Sequence, residues 1–165
     1  MHWMIRTLRD DETELLKDFL YEAIFIPEGV EPPDRSIILR PELTVYYQDF
    51  GQRPADHCLV ADVNGTAVGA VWTRRMNDYG HIDAETPSFA IALHKEYRGK
   101  GIGTALMKEM LKLLKKQGYN RASLAVQKNN YAVQMYRAVG FETVKETEEE
   151  YIMVCDLRNL KADAE

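Results

Sequence analysis

Residues 96–104 read EYRGKGIGT and separate two segments with different periodicities. Before them, residues 88–93 alternate larger and smaller apolar side chains, which is typical of a β-strand. After them, residues 102–117 repeat apolar side chains at helical spacing, and Gly118 favours a helix end there. The sequence therefore predicts a glycine-rich loop that leads from a strand into an amphipathic helix.

This loop has the composition of an anion-binding site. Three glycines in five positions let a bulky anion approach the backbone. The first turn of the following helix leaves N–H groups unpaired, and the helix dipole adds partial positive charge. Such a helix end suits a phosphate or pyrophosphate, and Arg98 and Lys100 add charge beside it. A glycine-rich helix start without a ligand is the alternative at this point.

The spacing of the glycines disagrees with two common nucleotide-binding motifs. The order is G-x-G-x-G, and Thr104 stands where a dinucleotide fingerprint requires its third glycine. The G-x-x-x-x-G-K-[ST] pattern of NTPases does not occur either. The loop is therefore a poor match for a dinucleotide or NTP site.

Outward from the loop, periodicity predicts the order β-α-α-β-β-β-α-β-α-β-β, a mixed sheet with helices in one α/β domain. Asn64-Gly65 predicts a tight hairpin, and Pro41 suits the first turn of a helix. The predicted strands are 3–8, 58–63, 66–74, 88–93, 121–127, 141–147 and 150–157; the predicted helices run from a cap at Asp10 or Asp11 to near Pro27, and over 41–50, 102–117 and 129–139. The polar tail 158–165 is expected to be frayed.

Composition narrows the functional class. A chain of 165 residues fits one domain, and its net charge of −5 argues against a general nucleic-acid binder. Cys58 and Cys155 lie in apolar runs, so we expect two reduced core thiols. Cysteines and histidines lack metal-ligand spacing, and neither a signal peptide nor a membrane span is predicted. We expect a cytoplasmic protein without a metal.

Two motifs together identify a family. Residues 98–103 follow the pattern R-x-x-G-x-G, and residues 129–141 follow N-x-x-A-x-x-x-Y-x-x-x-G-F. In this order, with one helix and one strand between them, they resemble the acyl-CoA signatures of the GNAT superfamily of N-acetyltransferases. The resemblance implies the GNAT fold: a central, mixed, mostly antiparallel sheet of about seven strands with about four helices, strands 4 and 5 being splayed to hold CoA. It also implies one N-acetyltransferase domain over residues 1–165.

The resemblance implies acetyl-CoA as the cosubstrate. In this family the amides of the glycine loop hold the pyrophosphate, and the preceding strand lends backbone groups to the pantetheine arm. Asn129 matches the asparagine that caps the second cofactor helix. The cofactor-binding residues implied in this way are Ile91, Leu93, Arg98, Gly99, Lys100, Gly101, Ile102, Gly103, Thr104, Asn129, Ala132 and Tyr136.

Two catalytic groups are also expected. Tyr136 matches the family's tyrosine that faces the thioester sulfur, where it would protonate the leaving thiolate; packing beside Phe141 is the alternative. An alkyl ammonium must lose a proton before it attacks. Glu85, just before the cofactor strand, is our predicted general base, and His81 and Asp83 are the alternatives.

The acceptor is expected to be a primary amine of a small molecule or peptide, attacked directly in a ternary complex by a monomeric or homodimeric enzyme that binds neither nucleic acid nor membrane. Its pocket is expected among residues 24–40, 72–85 and 145–150, with Tyr21, Phe25, Trp72, Arg74 and Tyr79 as lining candidates. Arg74 and Arg75 favour an acidic acceptor, whereas four glutamates favour a cationic one, so no charge is inferred for the acceptor; these are Glu146, Glu148, Glu149 and Glu150. A non-catalytic CoA-binding module is the alternative function.

Overall fold

Within residues 2–160, the part of the chain that the computed structural model describes, seven strands and four α-helices follow one another in the predicted order. The strands are β1 Met4–Thr7, β2 His57–Val63, β3 Thr66–Arg74, β4 Ser88–Leu93, β5 Arg121–Gln127, β6 Phe141–Glu146 and β7 Glu150–Asp156. The helices are α1 Leu15–Ala23, α2 Pro41–Thr44, α3 Ile102–Lys116 and α4 Ala132–Val139.

The strands form one sheet in the order β1-β2-β3-β4-β5-β7-β6. Neighbouring strands are antiparallel except β4 and β5, which are parallel and share a single register pair, Ser88 with Ser123. Beyond that pair the two strands diverge. The predicted mixed sheet with splayed central strands is thereby confirmed.

Each face of the sheet is covered by helices. Helices α3 and α4 pack on one face, where Leu106, Met110 and Phe141 are fully or almost fully buried. Helix α1 and the segment around α2 pack on the other face, where Phe19 and Trp72 are buried. The apolar sequence of β4 follows from this arrangement, because a strand that is covered on both faces presents apolar side chains to each of them.

Helix α2 is much shorter than predicted, ending at Thr44 instead of near residue 50. The reason lies in β3, because Trp72 Nε1 donates to the carbonyl of Tyr46 and Arg74 donates to the carbonyls of Val45 and Gln48. Carbonyls that a longer helix would use internally are therefore bound by core side chains, and tertiary contacts override the helical pattern.

Two further boundaries bear on the sequence predictions. Asn64 and Gly65 both adopt positive φ (53° and 88°), as the predicted hairpin requires. Residues 157–159 form a 3₁₀ turn on the buried side chain of Leu157, so the beginning of the expected tail is structured, and the rest of it lies outside the described residues. In the described part of the chain, no helix has the length and apolarity needed to cross a membrane.

Candidate active site

The divergence of β4 and β5 leaves backbone groups of β4 facing an open cleft. His94 N donates to the carbonyl of Val68, so the even-numbered residues of β4 exchange hydrogen bonds with β3. The odd-numbered residues therefore direct their N–H and C=O groups toward β5. The register between β4 and β5 does not continue past the Ser88 pair, which leaves the peptide groups of Ile91 and the N–H of Leu93 directed at the cleft.

The glycine loop closes one end of this cleft. Gly99 and Gly101 have φ of +75° and +84°, and the space where their side chains would stand is open. Gly101 is the N-cap of α3, so the free N–H groups of the first helical turn face that opening. The loop thus combines unpaired amides, a helix dipole and room for an anion, as its sequence predicts.

A cavity of about 650 Å³ joins the loop, the cleft and the end of α1. Its lining includes most of the predicted cofactor residues: Ile91, Leu93, Arg98, Gly99, Gly101, Gly103, Thr104, Ala132 and Tyr136. Lys100 is exposed outside it, and the side chain of Ile102 is buried in the core instead. Most of the remaining wall is formed by residues 21–26, Pro32 and Pro33. A hydrogen bond from Tyr21 Oη to the carbonyl of Pro33 (2.5 Å) joins the two parts of this segment.

Arg98 has a different role from the one its charge suggests. Its Nε donates to the carbonyl of Leu93 (2.9 Å), and its guanidinium lies 3.6 Å from the carboxylate of Glu22 on α1. The same carboxylate contacts His94 Nδ1 at 3.1 Å. Arg98 therefore ties the end of β4 to the glycine loop and to α1 through one hydrogen bond and one ion pair, while it also lines the cavity.

Tyr136 lies where the cleft and α4 meet. Its ring is 7% exposed and packs edge-on against Phe141, with ring centroids 6.2 Å apart. Burial raises the pKa of the hydroxyl far above its ordinary value, so the group stays protonated and can donate a hydrogen bond. The tyrosine therefore both packs in the core and lines the cavity, and the two roles considered from sequence are compatible.

The asparagine at the start of α4 is displaced by one residue from the prediction. Asn130 Oδ1 accepts from the N–H of Ala132 (2.9 Å), and α4 begins there. Asn130 also lines the cavity, whereas Asn129 is exposed outside it. The capping function assigned to Asn129 belongs to Asn130, because only the latter reaches the first free amide of the helix.

The predicted general base is not at the cavity. Glu85 is exposed, lies in the turn that precedes β4 and does not line the cavity. Asp83 is bound to Arg121 and accepts from the hydroxyl of Thr86, which lowers the pKa of its carboxyl. His81 is exposed, and its Nδ1 donates to the carbonyl of Met76. None of the three lines the cavity, and a catalytic role for Glu85, Asp83 or His81 stays a prediction.

Among the predicted acceptor residues, Tyr21 and Phe25 line the cavity. Trp72 and Arg74 do not, because both are buried in the core beneath α2. The guanidinium of Arg74 is paired with Asp56 (3.0 Å), so it stabilises the fold and gives no information on the charge of the acceptor. Tyr79 is half-exposed in the β3–β4 connection.

The structure reveals a polar cluster that sequence reasoning missed. The carboxylate of Asp78 accepts from the hydroxyls of Ser88 and Tyr46, beside the register pair where β4 and β5 separate. Burial raises the pKa of this carboxyl. The sequence around Asp78 does not predict this cluster, because the partners of Asp78 lie on other elements. The one local signal is Gly80, two residues later, which is typical of a turn.

The two cysteines are buried and free, as predicted. Burial raises the pKa of Cys155 to about 11 and that of Cys58 further, so both are protonated thiols near neutral pH. Neither lines the cavity. Within residues 2–160, no group of three or more His, Cys, Asp or Glu side chains is arranged to hold a metal ion.

Residues 18–141 match the family model described as the acetyltransferase (GNAT) family. An acetyltransferase of Yersinia pestis (strain Pestoides F) is 37% identical over 87 residues, which are 52% of this chain and 57% of the relative. An acetyltransferase of Pectobacterium atrosepticum is 37% identical over 91 residues, 54% of this chain and 60% of the relative. The matched part of the chain thus spans less than two thirds of the length of these relatives.

Solved structures resemble nearly the whole chain. The PaiA N-acetyltransferase of Thermoplasma acidophilum, in complex with coenzyme A, has a TM-score of 0.69 at 23% identity, covering 94% of this chain and 99% of that one. The YncA protein of Salmonella typhimurium, solved with its cofactor acetyl-CoA, has a TM-score of 0.67 at 17% identity, covering 99% of both chains. At these identities the likeness concerns the fold.

Proposed function

The chain belongs to the GNAT acetyltransferase family, and on that premise we propose that it transfers the acetyl group of acetyl-CoA to a primary amine by direct attack in a ternary complex. The observation that carries the proposal is the cavity in which the glycine loop, the open edge of β4 and Tyr136 meet. Two solved structures of the same fold contain CoA or acetyl-CoA, which supports the identity of the donor.

The residues of the cavity fit the chemical parts of acetyl-CoA. The free amides of the loop and of the first turn of α3 suit a pyrophosphate, and the loop has room for one. The peptide groups of Ile91 and the N–H of Leu93 offer a strand edge to an amide-containing arm, as one β-strand does to another. When bound, acetyl-CoA supplies a thioester, whose carbon is the electrophile.

Two groups of this chain then act on the reaction. An N–H of β4 at the cleft, directed at the acyl oxygen, stabilises the negative charge that develops there during attack. The hydroxyl of Tyr136, held neutral by burial, donates a proton to the departing sulfur. The buried thiols lie outside the cavity, so the proposed reaction uses no acyl-enzyme.

The proposal is tested by measuring the release of free thiol from acetyl-CoA. The amines tested are amino acids, polyamines, aminoglycosides and peptides with free N-termini. We expect amine-dependent thiol release with at least one class, and tight binding of CoA by calorimetry. Binding of CoA without turnover on any amine would favour a non-catalytic CoA-binding module. Tight binding of ATP or NAD without binding of CoA would contradict the proposal entirely.

A further inference from the structure

The turn at residues 78–80 rests directly on β5 just past the point where β4 and β5 separate. A side-chain carbon added to Gly80 would lie 2.9 Å from the carbonyl carbon of Leu124 and 3.0 Å from the amide nitrogen of Ala125. The absence of a side chain therefore lets this turn approach the backbone of β5 closely. The contact places Asp78 beside the Ser88–Ser123 pair, where the two strands separate, on the face of the sheet covered by α1 and α2. Asp78 does not line the cavity itself, so a link between the two requires water.

Neutral groups hold the carboxylate of Asp78 there. Ser88 Oγ donates to its Oδ1 at 2.7 Å, and the hydroxyl of Tyr46 and the N–H of Gly80 also donate to it. The pKa of this carboxyl is raised, because the cost of burial outweighs the hydrogen bonds that these donors make. A raised pKa makes it a stronger proton acceptor than a solvated aspartate.

Ser123 adds an independent observation. Its side chain is fully buried, and its Oγ has no hydrogen-bond partner among the described residues. It is the register partner of Ser88, and paired residues of parallel strands project from the same face of a sheet. A buried hydroxyl without a partner, on the strand next to the serine that binds Asp78, is the kind of site that an ordered water satisfies.

Resting on the proposed function, we infer that Asp78 is the proton acceptor of the reaction and takes the proton of the acceptor amine through water held at Ser88 and Ser123. Ile91, whose peptide groups face the reacting end of the cleft, is three residues from Ser88. That separation is about 10 Å along a strand, a distance that a short chain of waters spans.

The proton balance of the step is complete. The ammonium form of the acceptor gives one proton to the Asp78 carboxylate, which passes it to solvent. The neutral nitrogen forms a bond to the acyl carbon, and the C–S bond breaks with its electron pair remaining on sulfur. The sulfur takes a proton from the Tyr136 hydroxyl, and the second proton lost by the nitrogen restores that hydroxyl.

The other titratable groups around Asp78 determine how a pH profile of the reaction is interpreted. Burial raises the pKa values of Tyr46 and Tyr79, so neither hydroxyl ionises below pH 8. Glu150 acts electrostatically on Tyr79, and burial raises the pKa of its carboxyl as well. An acidic limb that disappears in Asp78→Asn and persists in Glu150→Gln is therefore assigned to Asp78 rather than to Glu150.

The test compares Asp78→Asn, Asp78→Glu and Glu150→Gln with the wild type, using kcat, KM and the pH profile of kcat/KM for an amine that the wild type accepts. For Asp78→Asn we expect a fall in kcat of about 100-fold or more, an unchanged KM for acetyl-CoA, and loss of the acidic limb. Asp78→Glu should recover part of kcat, whereas Glu150→Gln should keep the limb. Ser123→Ala should lower kcat less than Asp78→Asn does.

Asp62→Asn is the matched control, because Asp62 is also a buried carboxylate but pairs with Arg6 at the far end of β2. It should lose stability and keep kcat. Full kcat and an intact acidic limb in Asp78→Asn would overturn the inference, and so would a limb that disappears in Glu150→Gln. If Asp78→Asn does not fold, an unchanged kcat in Ser123→Ala overturns it. Absence of wild-type turnover with every amine defeats the proposed function itself, and the inference falls with it.

Discussion

The substitution Gly80→Ala tests whether the turn that carries Asp78 contributes to the reaction. Gly80 lies outside the left-handed region of backbone conformation, so an alanine causes no backbone strain there. The cost is steric, because the new carbon would stand 2.9–3.0 Å from backbone atoms of Leu124 and Ala125, whereas ordinary contacts begin near 3.4 Å. Strand β5 cannot retreat, since β7 is hydrogen-bonded along its other edge. The turn that carries Asp78 must therefore move away.

A displacement of roughly 0.5–1 Å stretches the 2.7 Å bond between Ser88 and Asp78 to the limit of a hydrogen bond. We expect unfolding to become easier by about 1–3 kcal/mol, as for other overpacked sites. Because a misplacement of about 1 Å in a proton-transfer path can cost about 100-fold in rate, we expect kcat to fall by roughly 10- to 100-fold. The KM for acetyl-CoA should stay the same, since the glycine loop is not involved.

The assay is thiol release at saturating acetyl-CoA, with a urea denaturation curve for each variant. Gly118→Ala is the control, because Gly118 has φ of +94° with open space around it, so alanine there costs stability through strain alone. That variant should be destabilised and keep its kcat. If Gly80→Ala keeps kcat within twofold while its denaturation midpoint falls, the turn has no part in the reaction and the reasoning is refuted.

Three further changes test the rest of the site. Gly101→Ala should weaken CoA binding by about 5- to 30-fold in calorimetry, because holding alanine at φ +84° costs about 1–2 kcal/mol; equal affinity would contradict a role for this backbone conformation. Tyr136→Phe should lower kcat by about 100-fold with unchanged CoA affinity and stability, because the ring still packs on Phe141; an unchanged kcat would exclude proton donation. Arg74→Met should reduce the free energy of unfolding by about 3–5 kcal/mol in urea titrations, because it leaves Asp56 buried without its cation; a loss below 1 kcal/mol would argue against that pairing.

The elements that could be predicted from sequence are those whose cause is local. Strand and helix periodicity gives the element order, and Asn64-Gly65 gives the hairpin because the conformation resides in those two residues. Helix α2 was predicted too long because residues of β3, far away in the chain, bind its carbonyls. Local pattern contains no information on such contacts.

The same distinction explains which parts of the site were found. The anion site consists of consecutive backbone amides, so residues 99–104 suffice to predict it. The proton acceptor is different, because Asp78 is brought to Ser88 and Ser123 by the folding of a loop onto two strands. The sequence favours Glu85 because it stands just before β4, where the resembled family often places a base, and no local pattern points to a residue that a folded connection brings to the strand.

Arg98 shows why charge in a motif is an uncertain guide to contact with the ligand. Its position in the R-x-x-G-x-G pattern suggests that the guanidinium meets the phosphates, yet its Nε binds the carbonyl of Leu93 and its outer nitrogen approaches Glu22. Leu93 O is one of the groups that the divergence of β4 and β5 would leave unpaired, and an unpaired buried carbonyl is costly. Arg98 therefore stabilises the open cleft itself, while the attraction for the anion comes from the amides and dipole of α3. Glu22 lies in the last turn of α1, just before the loop that lines the cavity. Arg98 therefore links the donor side of the site to the segment expected to contact the acceptor.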